Sequence, residues 1–281
     1  MKLKNDNSCY FQAGKSTRNF TLTLAGAIVL FGAFRIAQAG VVVDPNQPVA
    51  GKSQLELSEQ WVQWALSIPA PSNPLLDTTG AYAQVNNDGP VFFVAGNTSG
   101  GSSSRTFNVP TGRPIFFPVI NAFDLEVPTD GCDLQCAFSF IPGVGGATDL
   151  HATLDGQNLL TFPNFRQTST AFFVVDLPAS LRDAFGFPSQ YVGQLDSITD
   201  GYWVAVEGLN PGPHTLLFGG TIPELAPGNA PFTLEVTDTL NVVPEPGVLS
   251  LLLLGTVAAY GRRRSGPGDA VSGRNEGGKT A

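Results

Sequence analysis

From Ser53 to Ile68 the apolar positions Leu57, Trp61, Trp64, Ala65 and Ile68 recur at helical spacing, and Pro69 stops the run. The pattern predicts an amphipathic helix over 53–68. Its two tryptophans suggest a sugar-stacking platform, but three residues apart on an apolar face they read as core. Beyond Pro69 the period changes. Short apolar runs separated by Gly, Pro, Asn and Ser predict strands over Val91–Ala95, Arg105–Val109, Ile115–Ile120, Ala137–Ile141, Leu150–Leu154, Ala171–Leu177, Tyr202–Glu207, His214–Phe218 and Phe232–Val242. Pro178–Phe187 reads as a second short helix. The segments between strands are too short and Pro-rich for crossover helices. The expected fold is therefore all-β: an antiparallel β-sandwich, Ig-like or jelly-roll-like, with one N-terminal amphipathic helix.

Both ends break this pattern. Lys2, Lys4, Lys15 and Arg18 precede a 15-residue apolar run, Phe20–Phe34, and Ala37-Gln38-Ala39 follows it. A basic lead, an apolar stretch and small residues at the Ala37 and Ala39 subsites predict a secretory signal cut before Gly40. The run falls short of the roughly 20 residues a bilayer core needs, which favours cleavage over a retained anchor. At the other end, Val243-Pro244-Glu245-Pro246-Gly247 leads into the apolar run Val248–Tyr260 and then Arg262-Arg263-Arg264. The Arg cluster holds its end of the segment in the cytoplasm, so Glu245 and everything before it face outward. Thirteen residues span only about 20 Å as a helix, which suits a processed signal better than a permanent anchor.

The Pro-Glu-Pro, short apolar helix and terminal Arg cluster, in that order, resemble the PEP-CTERM sorting signal of Gram-negative bacteria. The resemblance implies export through the Sec translocon, cutting by signal peptidase, transient inner-membrane association, and processing near Pro244-Glu245-Pro246 by an exosortase. It further implies delivery to the outer surface or an exopolysaccharide matrix. Ser265–Ala281 extends past the point where members of that family usually stop. The expected organisation is a signal peptide (1–39), an exported β-rich domain (40–242), a sorting signal (243–264) and a polar tail (265–281). Within the exported domain, Trp61-Val62-Gln63-Trp64, Gly89–Gly96, Pro114–Asn121 and Pro211–Leu216 resemble blocks of uncharacterised exported bacterial proteins, to which no activity attaches.

Charge narrows the partners. The 281-residue chain is 42% hydrophobic and only 14% charged. Between Gly40 and Val242 stand 5 basic residues (Lys52, Arg105, Arg113, Arg166, Arg182) against 19 acidic ones, a net charge of −14. No basic patch exists to displace counterions, which excludes nucleic acid and anionic lipid. Cations and neutral glycans such as exopolysaccharide stay compatible. Cys9 leaves with the signal, so Cys132 and Cys136 are the exported cysteines. In an oxidising compartment they predict a small-loop disulfide, the alternative being two free thiols.

Catalytic signatures are sparse. His151 and His214 lie 63 residues apart, and His214, in the turn before a strand, reads as structural. Gly100-Gly101-Ser102-Ser103-Ser104 is no nucleophile elbow and reads as a flexible loop, and no P-loop or H-E-x-x-H zinc motif occurs. The densest acidic cluster, Asp124 and Glu126 with Asp130 and Asp133 beside the cysteines, offers oxygen ligands for Ca²⁺, or a solvated acidic loop. No other cofactor is expected. Two functions follow as expectations: a non-enzymatic surface or matrix protein, and an extracellular polysaccharide hydrolase using an acidic pair.

Overall fold

The computed structural model describes residues 40–224 and 228–244. The expected secretory signal, with Ala37 and Ala39, lies outside the described residues, as do Glu245, Pro246, the apolar run after them, Arg262, Arg263, Arg264 and the polar tail. Among the described residues no helix is long and apolar enough to cross a membrane.

The fold is an all-β sandwich of two sheets with a helical layer on one of them. The first sheet holds β1 (Val41–Val42), β9 (Gly193–Glu207), β4 (Ile115–Glu126) and β2 (Phe92–Phe93) in that order. The short strands β7 (Arg166–Thr168) and β8 (Phe173–Leu177) also pair with β9. The second sheet runs β3 (Gly101–Pro110), β11 (Phe232–Val243), β10 (Gly212–Ile222), β5 (Thr148–Leu154) and β6 (Gln157–Asn158). Most pairs are antiparallel, as expected, but β2 runs parallel to β4 and β3 parallel to β11.

Sheet periodicity explains which residues face which layer. Along β9, Ile198, Val204 and Val206 point toward the second sheet, and Leu195, Trp203 and Ala205 point away from it. The first face packs on Phe218, Val236 and Leu240 of the second sheet. The opposite face is covered by α1 (Gln54–Ser67) and α3 (Ala179–Phe185). Because both faces of this sheet are buried, β4 reads as one nearly continuous apolar run instead of alternating.

The helix α1 matches its prediction closely. Ser53 caps it by accepting from Glu56 N at 3.1 Å, and its end at Ile68 precedes Pro69. Trp61 and Trp64 are buried, with Trp61 edge-on to Trp203 and Trp203 stacked on Phe116, each at 5.4 Å. They are core, and their Nε1 atoms donate to the carbonyls of Val94 and Val85.

Two local expectations are corrected. Ala137–Ile141 is not a strand: Leu134–Ser139 forms a short helix, α2, because Asp133 accepts from Cys136 N at 2.9 Å and caps it. Gly101–Ser104 is not a loop but the start of β3, paired with Leu234–Thr237, where small side chains suffice because the neighbouring strand supplies the hydrogen bonds. The β-rich unit also extends one residue further than expected, since Val243 pairs with Pro110 and its carbonyl accepts from Thr111 N.

The parallel β3–β11 pair carries a buried ion pair. Arg105 Nε and Nη2 donate to Asp238 Oδ1 and Oδ2 at 2.9 and 2.7 Å. The guanidinium also donates to the carbonyls of Ala95 and Gly96. Burial pushes the Asp238 carboxyl above its usual range, and Arg105 pulls it back. Asp238→Ala strands a buried guanidinium, so it is expected to lower stability by about 3–5 kcal/mol in urea unfolding. The double variant Arg105→Met with Asp238→Leu should lose far less, because neither charge then stays buried.

Candidate functional site

A cleft of about 380 Å³ opens at the rim of the sandwich. Six parts of the chain build it, one of them Leu75 after α1. The α1 helix supplies Trp61, the crossing from β2 to β3 supplies Gly96, Asn97 and Thr98, and β4 supplies Asn121, Ala122 and Phe123. The start of β11 adds Phe232 and Leu234. The remaining wall comes from the end of α3, where Gly186 (φ 72°) adopts the left-handed conformation that closes the helix. That turn places Phe185 and Phe187 edge to face at 5.5 Å, and both line the cleft.

The lining is mostly aromatic and apolar, with two amides and one hydroxyl and no charged group. Asn97 Nδ2 donates to Ser103 Oγ at 3.3 Å, while its Oδ1 is shielded from solvent and has no partner among the described residues. Rings against C–H faces with amides at the edge suit an uncharged, hydroxyl-rich ligand better than an ion.

Phe123 and Phe187 also wall a second hollow of about 230 Å³, completed by Asp124, Leu125, Pro188 and Tyr191. Behind it lies the acidic cluster. Asp124 and Glu126 are two apart on β4 and share a face. Asp130 reaches Glu126 from the turn after β4, where its two oxygens accept from Cys132 N and Val127 N at 3.0 and 3.2 Å. Glu126 is only 6% exposed. Burial first, then hydrogen bonds to Asp124 and Asp130 and their negative charges, push its carboxyl up to about 8. Burial also raises Asp124, whereas the Cys132 amide lowers Asp130. Burial and the neighbouring negative charges thus favour the protonated form of Glu126 within the cluster. Tyr191 is raised by burial and by the same three carboxyls.

Of the four residues expected to offer Ca²⁺ oxygens, Asp124, Glu126 and Asp130 come together and Asp133 does not, because its carboxylate caps α2. Cys132 and Cys136 are joined by a disulfide with Cα atoms 5.4 Å apart. Their sulfurs and a Glu126 oxygen all lie within 4.8 Å of one another. Ca²⁺ takes six to eight oxygens, and this corner, with three carboxyls and two sulfurs, is a softer donor set than that.

The histidines serve locally. His214 lies between Asp155 Oδ2 at 2.7 Å and the Asn210 carbonyl at 2.9 Å, a structural clamp on the turn before β10. His151 meets Glu235 at 3.1 Å and the carbonyl of Asp149 at 2.9 Å. The cleft residues Asn97, Asn121, Phe185, Phe187 and Phe232 are not singled out by sequence, since no spacing connects segments so far apart.

Glu126 makes stability depend on pH. Its folded-state value of about 8 lies above the ordinary 4.5, so the folded chain binds the proton more tightly than the unfolded one. The contribution is complete below about 4.5 and is lost as pH rises through about 8. Melting temperatures measured across that window are expected to fall with pH, and Glu126→Gln should flatten the slope.

No protein-family model and no curated protein matches the chain. Among solved structures, a likeness to the solution structure of Amebosin covers 50% of this chain and 96% of that one, at 12% identity and a TM-score of 0.15. At that score it carries neither fold nor function.

Proposed function

We propose that the chain is an exported, non-enzymatic module of the cell surface or exopolysaccharide matrix, processed by an exosortase-type system, whose rim cleft takes a segment of neutral glycan. The observation that carries the reading is where the strand ladders stop. Val41 is already paired with Glu207, and Val243 is the last residue of β11 paired with β3. The two expected cut points, before Gly40 and near Pro244-Glu245-Pro246, therefore flank the paired strands, and both signals can be removed without breaking a ladder. The charge-free, mostly aromatic lining of the cleft supports a neutral glycan.

The hydrolase reading is the weaker one. Glycosidase carboxyl pairs stand about 5–5.5 Å or 6.5–9.5 Å apart, so that a sugar carbon or a water fits between them. Asp124 and Glu126 are hydrogen-bonded to each other, and Glu126 does not line the hollow beside them. The buried carboxylates Asp200 and Asp238 are engaged by Arg166 and Arg105.

Intact mass of the protein from its native host, fractionated into membrane, surface and medium, tests the address. A species running from Gly40 to near Glu245 outside the membrane is expected; a membrane species retaining Arg262–Ala281 overturns the sorting reading. Affinity electrophoresis through gels containing neutral polysaccharides tests the ligand. Retardation is expected to persist in high salt and to weaken about tenfold, about 1.4 kcal/mol, in Phe187→Ala, which removes one aromatic wall of the cleft. Equal mobility of the variant, or retardation abolished by salt, overturns it.

A further inference from the structure

The corner formed by the end of β4 and the start of α2 gathers three metal-ligating side chains that the glycan cleft does not use. Glu126 comes from the strand and Cys132 and Cys136 from the flank and first turn of the helix. One donor atom from each lies within 4.8 Å of the other two. The Glu126 side chain is buried, and its Oε1 has no hydrogen-bond donor among the described residues. No Lys, Arg or His pairs with it there: the charged groups acting on it, Asp124 and Asp130, are acidic. A buried carboxyl in acidic company, with two sulfurs beside it, lacks a positive charge.

We propose that reduction of the Cys132–Cys136 bridge turns this corner into a site for a thiophilic divalent cation, Zn²⁺ first, held by the two sulfurs and the Glu126 carboxylate. In the oxidised chain the sulfurs are bonded to each other, 2.08 Å apart, and are not thiolate donors. A dithiol reductant supplies the two electrons and two protons: its thiolate attacks one sulfur, its second thiol resolves the mixed disulfide, and it leaves as its own cyclic disulfide. The cation then displaces both thiol protons, and the Glu126 proton, to solvent.

Geometry admits the ion. With Zn–S near 2.3 Å and Zn–O near 2.0–2.2 Å, tetrahedral donors stand about 3.4–3.8 Å apart. Freed sulfurs reach that separation by side-chain rotation, since all three donors already fall inside 4.8 Å. Two thiolates and one carboxylate bring three negative charges to the ion's two, and the soft sulfurs prefer it to Ca²⁺ or Mg²⁺. The fourth position is left to water, since Asp124 is not among the donors that fall within 4.8 Å of one another. The inference is independent of the export reading, because it needs only the β4–α2 corner and a reductant.

Co²⁺ is the probe, titrated into the full-length chain in detergent, oxidised and dithiol-reduced. The reduced chain is expected to bind one Co²⁺ with thiolate-to-metal charge-transfer absorption and intense tetrahedral d–d bands, displaced by Zn²⁺. The oxidised chain should lack both signals. Cys136→Ser should abolish the charge transfer, and Glu126→Gln, with both thiols intact, should weaken binding more than about tenfold, the least that loss of even an outer-shell partner costs. Near-ultraviolet circular dichroism verifies the fold of each variant. Equal affinity in Glu126→Gln overturns the site, as does equal binding by the oxidised chain, which would assign the ion to carboxylates alone. Weak octahedral bands in the reduced wild type overturn it without reference to any variant.

Discussion

The Arg105–Asp238 pair is the constraint on which the sandwich turns. Its two residues lie on neighbouring parallel strands, β3 and β11, and both side chains are almost wholly removed from water. The same guanidinium holds the carbonyls of Ala95 and Gly96, where the chain leaves the first sheet for the second. One side chain therefore satisfies a buried carboxylate and two carbonyls of a crossing that lies outside any strand. A buried pair of this kind adds little net stability over an apolar substitute. What it does is penalise alternatives, since any register of β3 that separates Arg105 from Asp238 leaves two charges buried and unpaired. The rim of the cleft begins at the next residues, Gly96 and Asn97, so the crossing that Arg105 fixes is also the one that shapes the candidate site.

The first sheet shows a second consequence of burial. It is packed on both faces, against the second sheet on one side and α1 and α3 on the other. Strands β4 and β9 must then be apolar on both faces, which leaves few positions for polar side chains. Those that remain fall in the second half of β4 and the first half of β9, which pair with each other. Asn121, Asp124 and Glu126 occupy the second half of β4, and the cleft, the second hollow and the acidic corner all follow that stretch of strand.

Legibility in the sequence tracks how local each determinant is. The α1 helix could be read because Ser53, the apolar stripe and Pro69 lie within one segment, and Phe232–Val242 because its alternation is intact. The short α2 was hidden because its apolar residues mimic a strand and only Asp133 betrays the cap. Gly101–Ser104 was hidden because a strand of small polar residues has no apolar period; its partner on β11 supplies the order. The first half of β9 was missed for a related reason, as Asp196, Ser197, Thr199 and Asp200 interrupt the apolar pattern and are accommodated by contacts from other strands. Ser197 and Thr199 donate to β4 carbonyls, and Asp200 is held by Arg166. The acidic corner was half legible: Asp124, Glu126 and Asp130 stand close in sequence, but the diversion of Asp133 to the helix cap depends on α2. Arg105 and Asp238, 133 residues apart, left no sequence signal at all.

The distribution of the few cations explains why the acidic corner differs from other carboxylates. Arg105 and Arg166 engage the buried Asp238 and Asp200, Arg182 pairs with Asp183, and Lys52 with Glu56. Arg113 donates to the carbonyls of Asn87 and Val91 and lies over the Phe92 ring. With 5 cations set against 19 acidic groups between Gly40 and Val242, the chain neutralises two buried carboxylates with arginine and leaves Glu126 to a retained proton. A proton is the smallest counter-charge available and the easiest to exchange. A buried group neutralised in that way is the one most open to neutralisation by an ion from outside, whereas Asp200 and Asp238 already hold guanidinium groups built into the fold.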